Sequence, residues 1–420
     1  MINGMHTLDD FDLKGKTVLA RFDMNSPLDP KTKEPVDITR IKRSLPTLKE
    51  LSEKGAKTVI LIHQGSDIEY HNYASTKPHA KIVARLLGKP VDYIDDVCGP
   101  AARDKIKTLK NGQFLMLENV RFMAEEMTLF ETKLNLSPEE QAKTQVVQKL
   151  APLADLYLCD AFAAAHRCQP TLLGMEEVLP SAMGRLFEKE IISLNQLLEN
   201  PPKPCIFILG GAKIQDAFLM VDSVLKNNIA DMILATGLVA HVMLLAKGIS
   251  LGQPSEELIK KKNLESYIEQ SKAILKTFAK QIKLPIDFAY SLSGERKEVK
   301  VSNLPIDYAL TDLGKNTISE YETIIKDAKT VFFNGPVGVF EKKETELGTK
   351  SILTAIAKSN AFSAIGGGDS ITAVNKYRLA QHISYISTGG GALVRFLSGE
   401  ELPVIKALKK SAKRFDVDQN

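Results

Sequence analysis

Cysteine is scarce in this 420-residue chain, which has only Cys98, Cys159, Cys168 and Cys205. No two form a CxxC pair and no His/Cys set has zinc-ligand spacing. That excludes a disulfide framework and a structural zinc site, and leaves buried thiols in a reducing compartment. Long apolar runs are missing as well. The most apolar stretch, Met232 to Ala246, is too short to span a bilayer and is interrupted by Thr236, Gly237 and His241. It reads as a strand, a glycine turn and a buried helix. The first residues carry Asp9, Asp10 and Asp12 where a secretory leader would be basic and then apolar. Charge of one sign is not in excess: 55 Lys and Arg face 51 Asp and Glu, a net of +4. No basic block is interleaved with aromatics. The expectation is a cytoplasmic monomer with no nucleic-acid and no membrane partner.

Familiar nucleotide signatures are absent too. Gly15-Lys16-Thr17 has the tail of a P-loop, but Asp10 stands where its first glycine belongs. No strand–GxGxxG–helix unit occurs, which removes a nicotinamide dehydrogenase on two doubly wound domains. Neither the His-Arg-Asp loop nor the Asp-Phe-Gly triplet of protein kinases is present.

What the chain does have is alternation. Short apolar runs at Thr17–Ala20, Thr58–Ile62, Val91–Ile94, Phe114–Leu117 and Leu156–Cys159 are separated by amphipathic stretches such as 38–54 and 79–87. Strands separated by helices predict a parallel sheet covered on both faces. A helical pattern over 181–200 stops at Pro201-Pro202-Lys203-Pro204, because proline has no amide to donate. The alternation then restarts at Cys205–Leu209, Met232–Ala235, a polar segment near 291–300, Thr330–Phe333, Ala361–Ile365 and Ile383–Ser387. At this length two cores are expected. The fold predicted is α/β, two doubly wound parallel-sheet (Rossmann-like) domains joined by a hinge helix, with ligands at the carboxyl ends of the strands.

Chemistry-bearing residues gather at those ends. Glycine runs follow three strand-like segments of the second half: Gly210-Gly211-Ala212-Lys213, Gly366-Gly367-Gly368-Asp369-Ser370 and Gly389-Gly390-Gly391. Glycine lets backbone amides approach a ligand, and a helix starting there adds a positive dipole end, so these turns predict a polyphosphate cradle. In the first half Arg21, Asp23 and Asn25 follow the first strand, Arg40 opens a helix, His63 follows the second strand, and Arg121, His166 and Arg167 follow later ones. Arginines bind phosphate and carboxylate bidentately, so this half predicts a cup for a small polyanion. Taken singly each has a plainer reading: a solvated arginine, a core histidine, a tight turn at Gly210-Gly211, a helix cap at Asp369. Their joint placement is what the plainer readings leave unexplained.

With those residues assembled, the chain resembles the phosphoglycerate kinase family over nearly its whole length. The blocks that carry the resemblance are Arg21–Leu28, Leu117–Phe122, Asp160–Arg167, Gly210–Lys213, Asn334–Glu341, Gly366–Ser370 and Ser387–Ala392, in family order. His63-Gln64-Gly65 and Ala163–Arg167 are similar to the archaeal branch. The resemblance implies reversible phosphoryl transfer between 1,3-bisphosphoglycerate and ADP, giving 3-phosphoglycerate and ATP, with magnesium, by hinge bending. It implies a phosphoglycerate domain over 1–180, a hinge helix over 181–200, a nucleotide domain over 201–395, and a segment over 396–420 that returns to the first domain. Asp23, Met24, Asn25, Arg40, His63, Gln64, Gly65, Ser66, Arg121 and Arg167 would bind phosphoglycerate. Gly211, Lys213, Asn334, Glu341, Gly366, Gly367, Gly368, Asp369 and Ser370 would bind ATP or ADP, with Asp369 reaching magnesium. Arg40 and Lys213 would stabilise the transferring group.

Three positions depart from the family pattern: Ser66 stands where an arginine is usual, Ala217 near a second lysine, and Lys315 one place from its expected position. The rival from another class is a catalytically silent homologue that binds phosphoglycerate or nucleotide as a sensor. Retention of Arg40, Lys213, Glu341 and Asp369 argues against it.

Overall fold

A computed structural model of the chain describes residues 1–65 and 73–415. It divides into two compact units: Met1–Ile191 with the chain from Glu401 on, and Ile192–Glu400.

In the first unit seven strands form one sheet: β1 (His6–Thr7), β2 (Thr17–Arg21), β3 (Lys57–Leu61), β4 (Val91–Tyr93), β5 (Phe114–Met116), β6 (Leu156–Cys159) and β7 (Ser181–Met183). Their order is β1-β7-β6-β2-β3-β5-β4, and every pairing is parallel. The mostly apolar runs of β2, β3, β5 and β6 follow from helices on both faces. Val18, Ala20, Ile60, Met116 and Leu158 join Ile41, Leu48 and Val83 from the helices Thr39–Glu53 and Lys77–Leu87 in one core. After β1 at one edge, the chain enters the centre of the sheet at β2, runs out to the other edge and then crosses to the far side of β2. The strand-order reversal at β2 is where an open α/β sheet leaves a crevice at its carboxyl edge.

The second unit has β8 (Cys205–Leu209), β9 (Met232–Ala235), β10 (Ile282–Lys283), β11 (Asp287–Leu292), β12 (Glu295–Lys300), β13 (Leu310–Leu313), β14 (Thr330–Asn334), β15 (Phe362–Gly366) and β16 (Tyr385–Ile386). Six of them make a parallel sheet in the order β10-β9-β8-β14-β15-β16, so the reversal lies between β8 and β14. Phe207 and Phe332 stand opposite each other across that pair, ring centroids 5.1 Å apart.

Two elements differ from the sequence expectation. The polar segment near 291–300 is an antiparallel hairpin, β11 and β12, closed by Ser293 and Gly294 at φ 52° and 81°, the two-residue turn that matches strand twist. With β13 it forms a separate three-stranded sheet. The helix expected over 181–200 begins only at Arg185, and Ser181–Met183 is a strand between β1 and β6. Gly184 makes the switch, and a Cβ there would overlap the Asp160 carboxylate. That carboxylate accepts the Phe187 amide at 3.0 Å and so caps the new helix. The division between the units falls inside this helix, Arg185–Leu198. At the far end, the segment expected to return from 396 belongs to the second unit as far as Glu400, because Phe396 lies in the helix Gly391–Leu397 of that unit. Among the described residues no helix is long and apolar enough to cross a membrane.

Candidate active site

Beyond the carboxyl ends of β2, β3, β5 and β6 lies a cavity of about 150 Å³, lined by Asp23, Asn25, Arg40, His63, Gly65, Arg121, Ala163, Ala164, His166, Arg167 and Gln169. Arginines come to it from three separate segments. Arg40 opens the helix Thr39–Glu53 and gives Nη1 to Asp23 Oδ2 at 2.5 Å. Burial alone would raise the Asp23 carboxyl, but the charge of Arg40 and its hydrogen bond outweigh it and hold the group at about 2. Asn25 Oδ1 accepts the Gly65 amide at 3.0 Å, which ties the loop after β2 to the loop after β3. Arg121 donates to the Gly65 carbonyl, and Arg167 to Thr128 Oγ1 at 2.6 Å with Glu131 3.6 Å away.

His63 is 7% exposed, and its Nδ1 lies 3.2 Å from Nη2 of Arg21. A guanidinium can only donate, so Nδ1 accepts and Nε2 carries the proton of the neutral ring. Burial, reinforced by the charges of Arg21, Arg121 and Arg40, pushes the imidazole well below its usual range despite Asp23. The cavity is therefore cationic through its arginines while His63 offers a neutral N–H.

Two residues expected here do not line the cavity. Met24 is fully buried in the core beneath it. Gln64 bridges loops instead: its Oε1 accepts the Ser26 amide at 3.1 Å and its Nε2 donates to the Ser26 carbonyl at 2.9 Å. Ser66 lies outside the described residues. His166 and Gln169, not among the residues expected to bind, do line it. In the sequence His166 stood out as part of the Ala163–Arg167 block, and Gln169 gave no signal.

In the second unit a larger cavity, about 320 Å³, is mostly apolar. Gly211, Glu341 and Asp369, three of the residues expected to bind nucleotide, line it together with Gly237, Leu238, His241, Leu258, Phe288, Leu310 and Val337. The latter come from the helices Gly237–Ala246 and Gln253–Lys261, the antiparallel sheet and the loop after β14. Of these only Val337, inside the Asn334–Glu341 block, belonged to a motif. His241 is 3% exposed, its Nδ1 lacks a hydrogen-bond partner, and burial lowers its ring to about 4.

The remaining expected nucleotide residues sit just off this lining. Lys213 is exposed at the head of the helix Ile214–Lys226. Asn334 ends β14, and a Cβ on Gly367 would lie 2.5 Å from its Oδ1. Ser370 Oγ accepts the Gly335 amide at 2.8 Å, so it fastens one loop to the next. Gly368 opens the helix Gly368–Lys376, whose first turn has no side-chain cap and leaves its amides available to an anion.

The first glycine pair does something other than the sequence suggests. The amide of Gly210 is spent on the Asn334 carbonyl at 2.9 Å and that of Gly211 on the Pro336 carbonyl at 2.8 Å. Glycine is required there for close approach. A Cβ on Gly210 would overlap Thr236 and lie 2.9 Å from the Pro336 carbonyl, and one on Gly237 would lie 2.8 Å from the Gly211 nitrogen. The turns after β8, β9 and β14 thus meet backbone to backbone at the end of the cavity.

Comparison with known proteins agrees with this geometry. The family model described as "Phosphoglycerate kinase" matches residues 8–400. The "Phosphoglycerate kinase" of Methanobacterium bryantii is 46% identical over 403 residues, 96% of this chain and 97% of that protein. The crystal structure of phosphoglycerate kinase from Pyrococcus horikoshii OT3 matches with a TM-score of 0.89 at 43% identity, covering 98% of this chain and all of that one. The structure of phosphoglycerate kinase from Coxiella burnetii gives 0.82 at 30% identity, over 97% of this chain and 99% of that one.

Proposed function

The chain belongs to the phosphoglycerate kinase family, and from that premise we propose that it moves a phosphoryl group reversibly between 1,3-bisphosphoglycerate and ADP. The arginine-lined cavity of the first unit receives the phosphoglycerate, and the apolar cavity of the second receives the nucleotide. The observation that carries this reading is the convergence of Arg40, Arg121 and Arg167 with the neutral His63 on one small cavity. Three guanidiniums suit a ligand with a phosphate at one end and a carboxylate or acyl phosphate at the other.

Phosphoryl transfer of this kind needs positioning and charge neutralisation more than covalent help. In the ATP-consuming direction the nucleophile is a carboxylate, ionised at neutral pH, so no general base is required. Arg40 and Lys213 stabilise the equatorial oxygens of the group in flight, assisted by the open amides at Gly368. Glu341 accepts from the ribose hydroxyls, and Gly366 to Gly368 with Asn334 face the phosphates. Asp369, on the cavity wall, would hold the magnesium that accompanies the nucleotide and neutralises phosphate charge. Among the described residues no cluster of three His, Cys, Asp or Glu side chains could hold a metal by itself. One carboxylate fits an ion whose other ligands are phosphate oxygens and water.

Because each substrate has its own unit, transfer requires a bending step, and the helix Arg185–Leu198, which passes from one unit to the other, is the proposed hinge. The enzyme is proposed to act in the cytoplasm as a monomer. A coupled assay with 3-phosphoglycerate, ATP and magnesium, recycling product through glyceraldehyde-phosphate dehydrogenase and NADH, tests the reading. Turnover that vanishes with chelator and in Lys213→Ala supports it. Saturable nucleotide binding without turnover would favour the silent homologue.

A further inference from the structure

Behind the anion cavity lies a buried polar chain that the transfer chemistry does not use. Arg21, at the end of β2, is fully buried. Its Nη1 donates to the Phe22 carbonyl at 3.0 Å, its Nη2 to His63 Nδ1 at 3.2 Å, and its Nε to Thr171 Oγ1 at 3.1 Å. Thr171 and Glu126 are fully buried too. Glu126 accepts the Thr171 amide on Oε1 at 2.7 Å and the Thr171 hydroxyl on Oε2 at 2.9 Å. The Thr171 carbonyl in turn accepts the Tyr157 hydroxyl at 2.6 Å.

The Arg21 links have a fixed direction, because a guanidinium only donates. A threonine hydroxyl has one proton, and here it goes to Glu126, so Oγ1 is left to accept from Arg21. Arginine only donates, so His63 Nδ1 accepts. A fully buried arginine with one nitrogen unmatched would turn to find another acceptor, since an unmade buried hydrogen bond is costly.

We propose that Thr171 and Glu126 are positioning residues: they fix Arg21 so that it holds His63 as the Nε2–H form, a neutral donor on the phosphoglycerate cavity. The inference rests on the functional reading above only for the identity of the ligand. Other charged groups face His63 as well, namely Asp23, Arg40 and Arg121. Of these, Arg40 is tied to Asp23 and Arg121 to the Gly65 carbonyl.

The test uses the full chain with ¹⁵N-labelled histidine, His63 being assigned by its loss in His63→Asn. In the wild type a single set of ring shifts with the proton on Nε2 is expected. Thr171→Val keeps the shape and removes the hydroxyl. It should give averaged ring shifts from mixed forms, and raise KM for 3-phosphoglycerate by about tenfold, the worth of one hydrogen bond, with KM for ATP unchanged. Thr171→Ser should restore both readouts. Glu126→Gln offers one acceptor where two are needed, so it should reproduce the Thr171→Val result even if that variant fails to fold.

Thr171→Val and Glu126→Gln with wild-type ring shifts and wild-type KM would overturn the proposal. So would a wild-type His63 with its proton on Nδ1, even where turnover is normal. Wild-type protein with the expected ring form but no turnover would overturn the functional reading instead, and leave the positioning chain standing.

Discussion

Nη1 of Arg40 stands 2.5 Å from Oδ2 of Asp23, and the other oxygen of that carboxylate accepts the Asn25 amide at 3.1 Å. The nearly buried acid therefore fixes one edge of a guanidinium whose side chain is still 38% exposed. Replacing Arg40 by Ala should lower kcat by about 10²- to 10³-fold, the loss seen when a preorganised transition-state donor is removed. Affinity for ADP, measured by calorimetry, should be nearly unchanged. Asp23, left buried without its cation, should titrate above its present value of about 2. A variant with near-normal turnover would remove Arg40 from the transfer step.

Two glycines of the second unit separate structure from proposed ligand contact. Gly335 has φ 87°, and a Cβ there would overlap the Gly210 backbone. Gly335→Ala should cost about 3 kcal/mol or more of stability, since strain and backbone overlap act together. Gly368 has open space around its would-be Cβ. Gly368→Ala should leave the thermal midpoint within about 2 °C, because surface changes away from special features cost little. KM for ATP should nevertheless rise severalfold if the phosphates lie against this turn. Equal effects of the two substitutions on Tm, or no effect of Gly368→Ala on KM, would contradict the assignment.

The strand–helix alternation was legible because parallel strands buried on both faces are short continuous apolar runs, as Cys205–Leu209 and Leu156–Cys159 are. Ser181–Met183 was not, since three residues running into Gly184 and an amphipathic helix show no period of their own. The first cavity was readable through Asp23, Arg40, His63, Arg121 and Arg167, each in a loop after a strand or at the start of a helix. Gln64 shared their motif yet bonds to Ser26, and a motif does not say which neighbour a side chain reaches. The apolar walls of the second cavity were hidden for another reason. Leu258, Phe288 and Leu310 are ordinary core residues in sequence, and only the tertiary fold brings them to one space.

Asp160 predicts a pH effect on stability. Burial pushes its carboxyl up to about 7, against the hydrogen bonds from Phe187, Thr47 and Leu186 that favour the charged form. The folded state thus holds a proton that the unfolded chain releases near 4. The stability this contributes is fully present below about pH 4 and is lost as pH rises through 7. Asp160→Asn, which keeps an acceptor for the Phe187 amide, removes that dependence. At pH 8 the variant should be more stable than wild type by about 2–4 kcal/mol, and at pH 4 the two should match. Denaturant unfolding at both pH values measures it; a variant destabilised at pH 8 would mean that Asp160 caps the helix as an ion.

Asp369 tests the place of the metal without relying on turnover. It stands in the first turn of the helix Gly368–Lys376, where amide dipoles favour an anion and a carboxylate on the cavity wall favours a cation. On the proposed reading a magnesium nucleotide would satisfy both, Asp369 holding the ion and the open amides the phosphate. Asp369→Asn keeps the shape and removes the charge. Magnesium affinity of the ADP complex should fall by at least about tenfold, the loss typical even of removing an outer-sphere support. ADP bound without metal should be held no more weakly, because the substitution removes a negative charge that repels phosphate. Calorimetric titrations of ADP with and without magnesium separate the two terms. Equal loss in both would make Asp369 a contact to the nucleotide itself, and no loss in either would take the metal away from this turn.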